Sequence, residues 1–206
     1  MGSRLVPMLA QRGHRIAALA RKGSESRLPQ DAQAVTGDAL KMDSYVDAVR
    51  GMDTFVHLIG VAHPSPAKAK EFRSVDFVSA QVAVKAARDA GVKHFVYLSV
   101  AHPAPMMKEY IAVRTECEEE IRASGMAGTF LRPWYVLGPG HRWPCALIPF
   151  YWICEQLPAT RDGARRLGLV TLPQMIAALL WAVENPPDGI RVIDVPGIRE
   201  LGSAEK

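Results

Sequence analysis

The sequence predicts an α/β domain built on a doubly wound parallel sheet. Short runs rich in Val, Ile, Phe and Leu alternate with helical periods, which is the pattern of βαβ units. The strand run Asp53 to Gly60 is predominantly apolar, with Phe55, Val56, Leu58 and Ile59, as a strand covered on both faces is. At 206 residues, 49% apolar and 22% charged, the chain is long enough for one domain with a sizeable core.

Taken in order, Leu5, Met8 and Leu9 repeat at helical spacing and Gly13 follows, so a short helix ends near Arg12. His14 to Ala20 reads as a strand ending in Arg21-Lys22-Gly23, and Ala34 to Gly37 as a second. Ser44 to Arg50 is a short helix before Gly51, and the Asp53 to Gly60 strand follows. Ala67 to Ala90 is the longest helix, with Val75, Val78, Val82 and Ala86 on one stripe and Gly91 as its cap. Lys93 to Ser99 is a strand, Met106 to Ser124 a helix, and Thr129 to Arg132 a strand stopped by Pro133. Trp134 to Pro158 is rich in aromatics and prolines, with room for a short helix around Cys145 to Gln156. Thr171 and Gln174 have capping-box spacing, with Pro173 in the first turn, and Met175, Ile176, Leu179, Leu180 and Val183 form the stripe that follows. Ile190 to Val195 closes the fold as a strand.

Composition narrows the function classes. Net charge is +4 and no long run of one sign occurs, so the concentrated basic patch of a nucleic-acid binder is missing. No apolar stretch reaches the ~18–20 residues of a membrane span, and Met1-Gly2-Ser3-Arg4 lacks signal-peptide shape. Cys117, Cys145 and Cys154 show no C-x-x-C spacing, which fits a reduced, cytoplasmic compartment and no metal site. Glu118-Glu119-Glu120 reads as a solvated helical face.

The segments "GSRLVPMLAQRGHRIAALAR", "GDALKMDSYVDAVRGMDTFVHLIG", "VDFVSAQVAVKAARDAGVKHFVYLSV" and "RASGMAGTFLRP" resemble, in order and spacing, the extended and atypical short-chain dehydrogenase/reductases. NmrA-like proteins and an accessory subunit of respiratory complex I are the nearest flavour. The resemblance implies a Rossmann-type sheet over residues 1–133 and a small substrate lobe over residues 134–206, packed on the same domain. It also implies an N-terminally truncated domain; a true start at Met1 with Gly2 an ordinary N-terminal residue is the alternative. Gly2 aligns with the last glycine of the family's phosphate loop, so the first strand and the earlier glycines would precede Met1.

The resemblance assigns candidate sites residue by residue. Arg21 and Lys22 follow the second strand of the family, where an acid would bind the ribose hydroxyl of NAD and a base the 2′-phosphate of NADP. Ala20-Arg21-Lys22 holds no acid, so NADP(H) is favoured over NAD(H); a solvated loop is the alternative. Asp38 matches an acid that bonds the adenine amine, or is a turn aspartate. Leu58, Ile59, Gly60, Val61 and Pro133 would lie against the cofactor, with Gly2. Ser99, Tyr110 and Arg114 would be catalytic, with Ser99 on the substrate oxygen and Tyr110 moving the proton. Arg114 stands at i+4 from Tyr110, where the family carries lysine. Arginine keeps the charge but lacks the compact ammonium geometry. A tyrosine paired with a surface arginine explains the same residues. His63, Trp134, His141 and Arg142 are candidate substrate contacts, and residues 143–154 could support a homodimer or peripheral association. The function implied is an NADP(H)-dependent oxidoreductase or epimerase acting on a small carbonyl or hydroxyl substrate. The alternatives are a non-catalytic NAD(P)-binding redox sensor or accessory subunit, and a fragment that binds no nucleotide.

Overall fold

The computed structural model describes residues 1–104, 106–138, 154, 156–158 and 160–204. Helix α1 (Gly2–Gln11) leads into strand β1 (Ala17–Ala20), which pairs in parallel with β2 (Gln33–Thr36). Strands β3 (Thr54–His57), β4 (His94–Leu98), β5 (Ala127–Leu131) and β8 (Ile190–Ile193) form a second sheet, parallel throughout, in that order. A third parallel pair joins β6 (Tyr135–Leu137) to β7 (Leu169–Thr171). Helices α2 (Val46–Val49), α3 (Ala69–Glu71), α4 (Val78–Asp89), α5 (Lys108–Ala123), α6 (Arg161–Arg166), α7 (Leu172–Glu184) and α8 (Val195–Ala204) complete the described elements. None of the described helices is long and apolar enough to cross a membrane.

The α/β expectation holds because the two faces of the sheet bury different side chains. On β4, Phe95 and Tyr97 enter a core with Tyr45, Phe72, Val113, Ile121 and Phe130. Val96 points to the opposite core, with Leu5, Leu9, Leu131, Leu179 and Ile198. This period-2 alternation, covered by helices on both sides, puts apolar side chains on both faces of β4.

Local signals set the element ends. At Gly91, φ is +77°; Val92 N–H donates to Ala87 O at 2.9 Å and Gly91 N–H to Arg88 O at 3.0 Å, a Schellman ending for α4. The Thr171 capping box is present, with Thr171 N–H donating to Gln174 Oε1 at 2.8 Å and Gln174 N–H to Thr171 Oγ1 at 3.3 Å.

Three features depart from the sequence expectation. The long helix carries a π-helical turn at Phe72–Phe77. It shifts the buried stripe from Val75, Val78 and Val82 to Phe72, Asp76, Ser79, Ala80 and Ala83. The chain does not close on β8, because α8 follows and packs on α7. The β6–β7 pair was also unforeseen, its partners being 34 residues apart.

Strands β1 and β3 are not hydrogen-bonded to each other, so the sheet is interrupted between them. The gap holds a cavity of about 570 Å³ lined by α1, β1 and β3, among other segments. The amino ends of both strands meet, where Arg15 Nη2–H donates to Gly51 O at 2.9 Å.

Candidate functional site

Parallel strands place their carboxyl ends along one edge, where α/β sheets bind ligands. At that edge Arg21 and Lys22 are exposed just past β1. Asp38 follows β2 in a tight turn: its Oδ1 accepts Leu40 N–H at 3.0 Å and its own N–H donates to Ser44 Oγ at 2.9 Å. Gly60 is exposed past β3. His63 is exposed farther on, with φ of 50°. The ends of β4 and β5 stay zipped beyond the strands, with Ser99 N–H on Leu131 O at 2.8 Å and Ala101 N–H on Pro133 O at 2.9 Å. Pro133 is buried, and the Trp134 ring meets Tyr135 edge-on at 5.7 Å. His141, Arg142 and nearly all of the 143–154 segment lie outside the described residues.

The three candidate catalytic residues fall in two separate networks. Arg114 is 4% exposed and its Nη2 bonds Asp76 Oδ1 at 2.6 Å, a carboxylate that is 0% exposed. Its Nη1 donates to Leu98 O at 2.8 Å and reaches Tyr97 Oη at 3.2 Å. Asp76 Oδ2 accepts Val61 N–H at 2.9 Å. The guanidinium therefore ties the end of β4 to the loop after β3. It also explains Gly60, since a Cβ there would collide with Arg114 Nη2. The Arg114 guanidinium lies against the Tyr110 ring, with Cζ 5.1 Å from the centroid, and the Phe72 ring packs on Tyr110 at 5.0 Å. Burial pushes the Tyr110 hydroxyl above its ordinary pKa, against the opposing pull of Arg114. Burial also pushes the Asp76 carboxyl up, again opposed by Arg114, which stays protonated.

Ser99 belongs to the second network. It is buried and its Oγ donates to Glu118 Oε1 at 2.6 Å. Glu118 is 2% exposed and accepts Arg132 Nε–H at 2.9 Å, with Arg132 Nη2 on its other oxygen. His102 Nε2 stands 3.9 Å from the same carboxylate. The acidic run is thus not wholly a solvated face. A helix turns about 100° per residue, and Val113, Arg114, Cys117, Glu118 and Ile121 share the buried side of α5. That spacing was the available signal for Glu118. Asp76 had none in the sequence, because its partner is 38 residues away. His57 was also missed: it is buried, its ring nitrogens have no hydrogen-bond partner among the described residues, and burial with the nearby Arg114 charge holds its pKa at about 3.

Residues 1–140 match the sequence pattern of a family described as NAD(P)H-binding. The chain belongs to that NAD(P)H-binding family. The match spans every candidate site residue from Gly2 to Trp134. A ceramide reductase of Caulobacter vibrioides (strain NA1000 / CB15N) is 29% identical over 204 residues, 98% of this chain. The chain spans 63% of that relative's length. The structure of MoeE5 in complex with UDP-glucuronic acid and NAD superposes with a TM-score of 0.70 at 20% identity, covering 94% of this chain and 72% of that one. A short-chain dehydrogenase/reductase superfamily protein from Agrobacterium tumefaciens with bound NAD gives 0.66 at 17% identity, covering 93% and 73%. These structures share the family's Rossmann-type α/β fold.

The residues at the strand ends suit such a nucleotide. Arg21 and Lys22 offer exposed cations, and Gly60 presents backbone without a side chain at the sheet edge.

Proposed function

We propose that this chain is an NADP(H)-dependent oxidoreductase of the cytoplasm that acts on a carbonyl or hydroxyl substrate. The carrying observation is the exposed Arg21-Lys22 pair at the carboxyl end of β1, in a run Ala20-Arg21-Lys22 that holds no acid, in a chain of the NAD(P)H-binding family. Two cations there favour a 2′-phosphate over a ribose hydroxyl. When bound, NADP(H) supplies the hydride. Tyr110, its hydroxyl held protonated by burial, is the proton donor for a carbonyl oxygen. Arg114 stands where the family carries lysine and acts as a positioning residue. It lies against the Tyr110 ring and fixes the Gly60–Val61 loop through Asp76. Ser99, its proton engaged by Glu118, has lone pairs left to accept from a substrate hydroxyl. The name of the Caulobacter relative makes a carbonyl on a long-chain lipid the first substrate class to assay.

One observation favours a second reading, a dinucleotide-binding protein without turnover: the polar groups of both Ser99 and Arg114 are bonded inside the protein. Titration of NADPH and NADH followed by reduced-nucleotide fluorescence tests the cofactor. Tighter NADPH binding by about tenfold or more, lost when Arg21 and Lys22 are both changed to Glu, is the expected result; equal affinities refute it. Tyr110→Phe then separates the readings. Loss of NADPH oxidation with unchanged nucleotide affinity supports the enzyme, whereas a wild-type chain that binds NADPH and turns over no carbonyl supports the second.

A further inference from the structure

We propose that His102 is a specificity-determining residue of the site. Its Nδ1 accepts a hydrogen bond from a hydroxyl or amide N–H next to the reacting carbonyl, so the preferred substrate is a ketone or aldehyde that carries such a donor. The inference deepens the function proposed above and rests on its carbonyl substrate.

Position comes first. His102 lies past β4 at the carboxyl edge of the sheet, next to Ala101, whose N–H donates to Pro133 O at 2.9 Å. Pro103 O accepts Arg166 Nε–H at 3.2 Å, so α6 reaches the same turn. The imidazole therefore stands between the strand ends and α6, at the edge where α/β sheets bind ligands.

Its orientation is set from inside. Nε2 is buried and has no hydrogen-bond partner among the described residues. It stands 3.9 Å from Glu118 Oε1. That oxygen already accepts Ser99 Oγ–H at 2.6 Å and Arg132 Nε–H at 2.9 Å. A carboxylate beside one ring nitrogen favours the tautomer with the proton on that nitrogen. Nε2 thus carries the hydrogen and Nδ1 keeps its lone pair. The side chain is 20% exposed, and Nδ1 is the nitrogen left open, neither enclosed nor bonded among the described residues.

Charge keeps the ring in that state. The charged groups around it are Glu118 on α5, Arg132 past β5 and Arg166 on α6. Burial and the two arginines hold the imidazole below its ordinary pKa, against the pull of Glu118. A neutral ring with its proton turned inward accepts at Nδ1 and cannot donate there. Ser99 is restricted in the same way, because its proton lies on Glu118. A bare carbonyl has no hydrogen to give to either residue. A neighbouring hydroxyl or amide has one, and a substrate without it leaves these acceptors desolvated and unpaired.

Two measurements test this. Long-range nitrogen–proton NMR of the imidazoles at pH 7 needs neither nucleotide nor turnover, and the His102 signal is assigned by its loss in His102→Leu. The neutral Nε2–H form is expected; a proton on Nδ1 overturns the proposal. The second measurement titrates the chain with hydroxyacetone and with acetone, which lacks the hydroxyl, in the presence of oxidised NADP so that neither is reduced. Hydroxyacetone is expected to shift the Nδ1 resonance and to bind about tenfold more tightly than acetone. His102→Leu should abolish this preference and leave the affinity for acetone unchanged. Equal affinities in the wild-type chain, an unmoved Nδ1 resonance, or a preference that survives in His102→Leu overturns the proposal. Turnover with NADPH separates this inference from the one beneath it. A chain that prefers hydroxyacetone and reduces neither ketone refutes the oxidoreductase and upholds the role of His102. A chain that reduces both with equal kcat/KM upholds the oxidoreductase and overturns the role of His102.

Discussion

Arg114→Met is expected to lower stability by about 3–5 kcal/mol, the usual cost of leaving one member of a buried ion pair alone. The structure sets this scale. Arg114 is 4% exposed and Asp76 is 0% exposed, so water cannot replace the lost guanidinium. Leu98 O and Tyr97 Oη lose a donor in the same change. Their contributions overlap with the ion pair and do not add in full. Urea unfolding followed by tryptophan fluorescence is the assay. With a slope of roughly 2–3 kcal/mol/M, the midpoint should fall by about 1–2 M. The deficit should shrink in acid. Burial already raises the Asp76 pKa, and removing the opposing arginine raises it further. A folded-state pKa above the unfolded value favours the fold below the unfolded pKa, and that contribution is lost as pH rises through the folded one. Adding Asp76→Leu to Arg114→Met should restore most of the loss, because no charge is then left buried. A single variant within about 1 kcal/mol of wild type, or a double variant no better than the single, would refute the inward, structural role of Arg114.

Further outcomes follow from other contacts. Gly60→Ala should cost about 1–3 kcal/mol in the same assay, since its Cβ meets the fixed guanidinium. His57 is neutral when folded, with a pKa of about 3 against 6.5 unfolded. The unfolded chain thus binds more protons between these values, and stability should rise with pH across that window by up to about 1.4 kcal/mol per unit. His57→Leu should flatten that slope, as seen in unfolding curves at pH 5 and pH 7. Thr171→Ala removes the α7 cap and should cost about 1 kcal/mol, with a matching drop in the thermal midpoint.

Much of the fold was legible because its causes are local. Gly91 ends α4 through hydrogen bonds reaching five residues back, to Ala87. Thr171 and Gln174 cap α7 within one turn. The apolar runs of β3 and β4 become strands in a covered parallel sheet because both faces need burial. The candidate site was less legible. The i+4 spacing placed Tyr110 and Arg114 together, and they do meet, with the guanidinium against the ring. Where the guanidinium ends depends on Asp76, which a π-helical turn rotates into the core.

The sequence alone determined the alternation of strands and helices, their caps and the membership of residues 1–140 in a nucleotide-binding family, since periodicity, turn chemistry and motif order are written in neighbouring residues. Only the tertiary structure decided that Glu118 is buried against Ser99 and Arg132, that Gly60 makes room for Arg114, and that an apolar gap separates β1 from β3. These depend on residues far apart in the chain meeting in a low-dielectric interior. There a charge is tolerated only beside its partner, and no short window of sequence contains both.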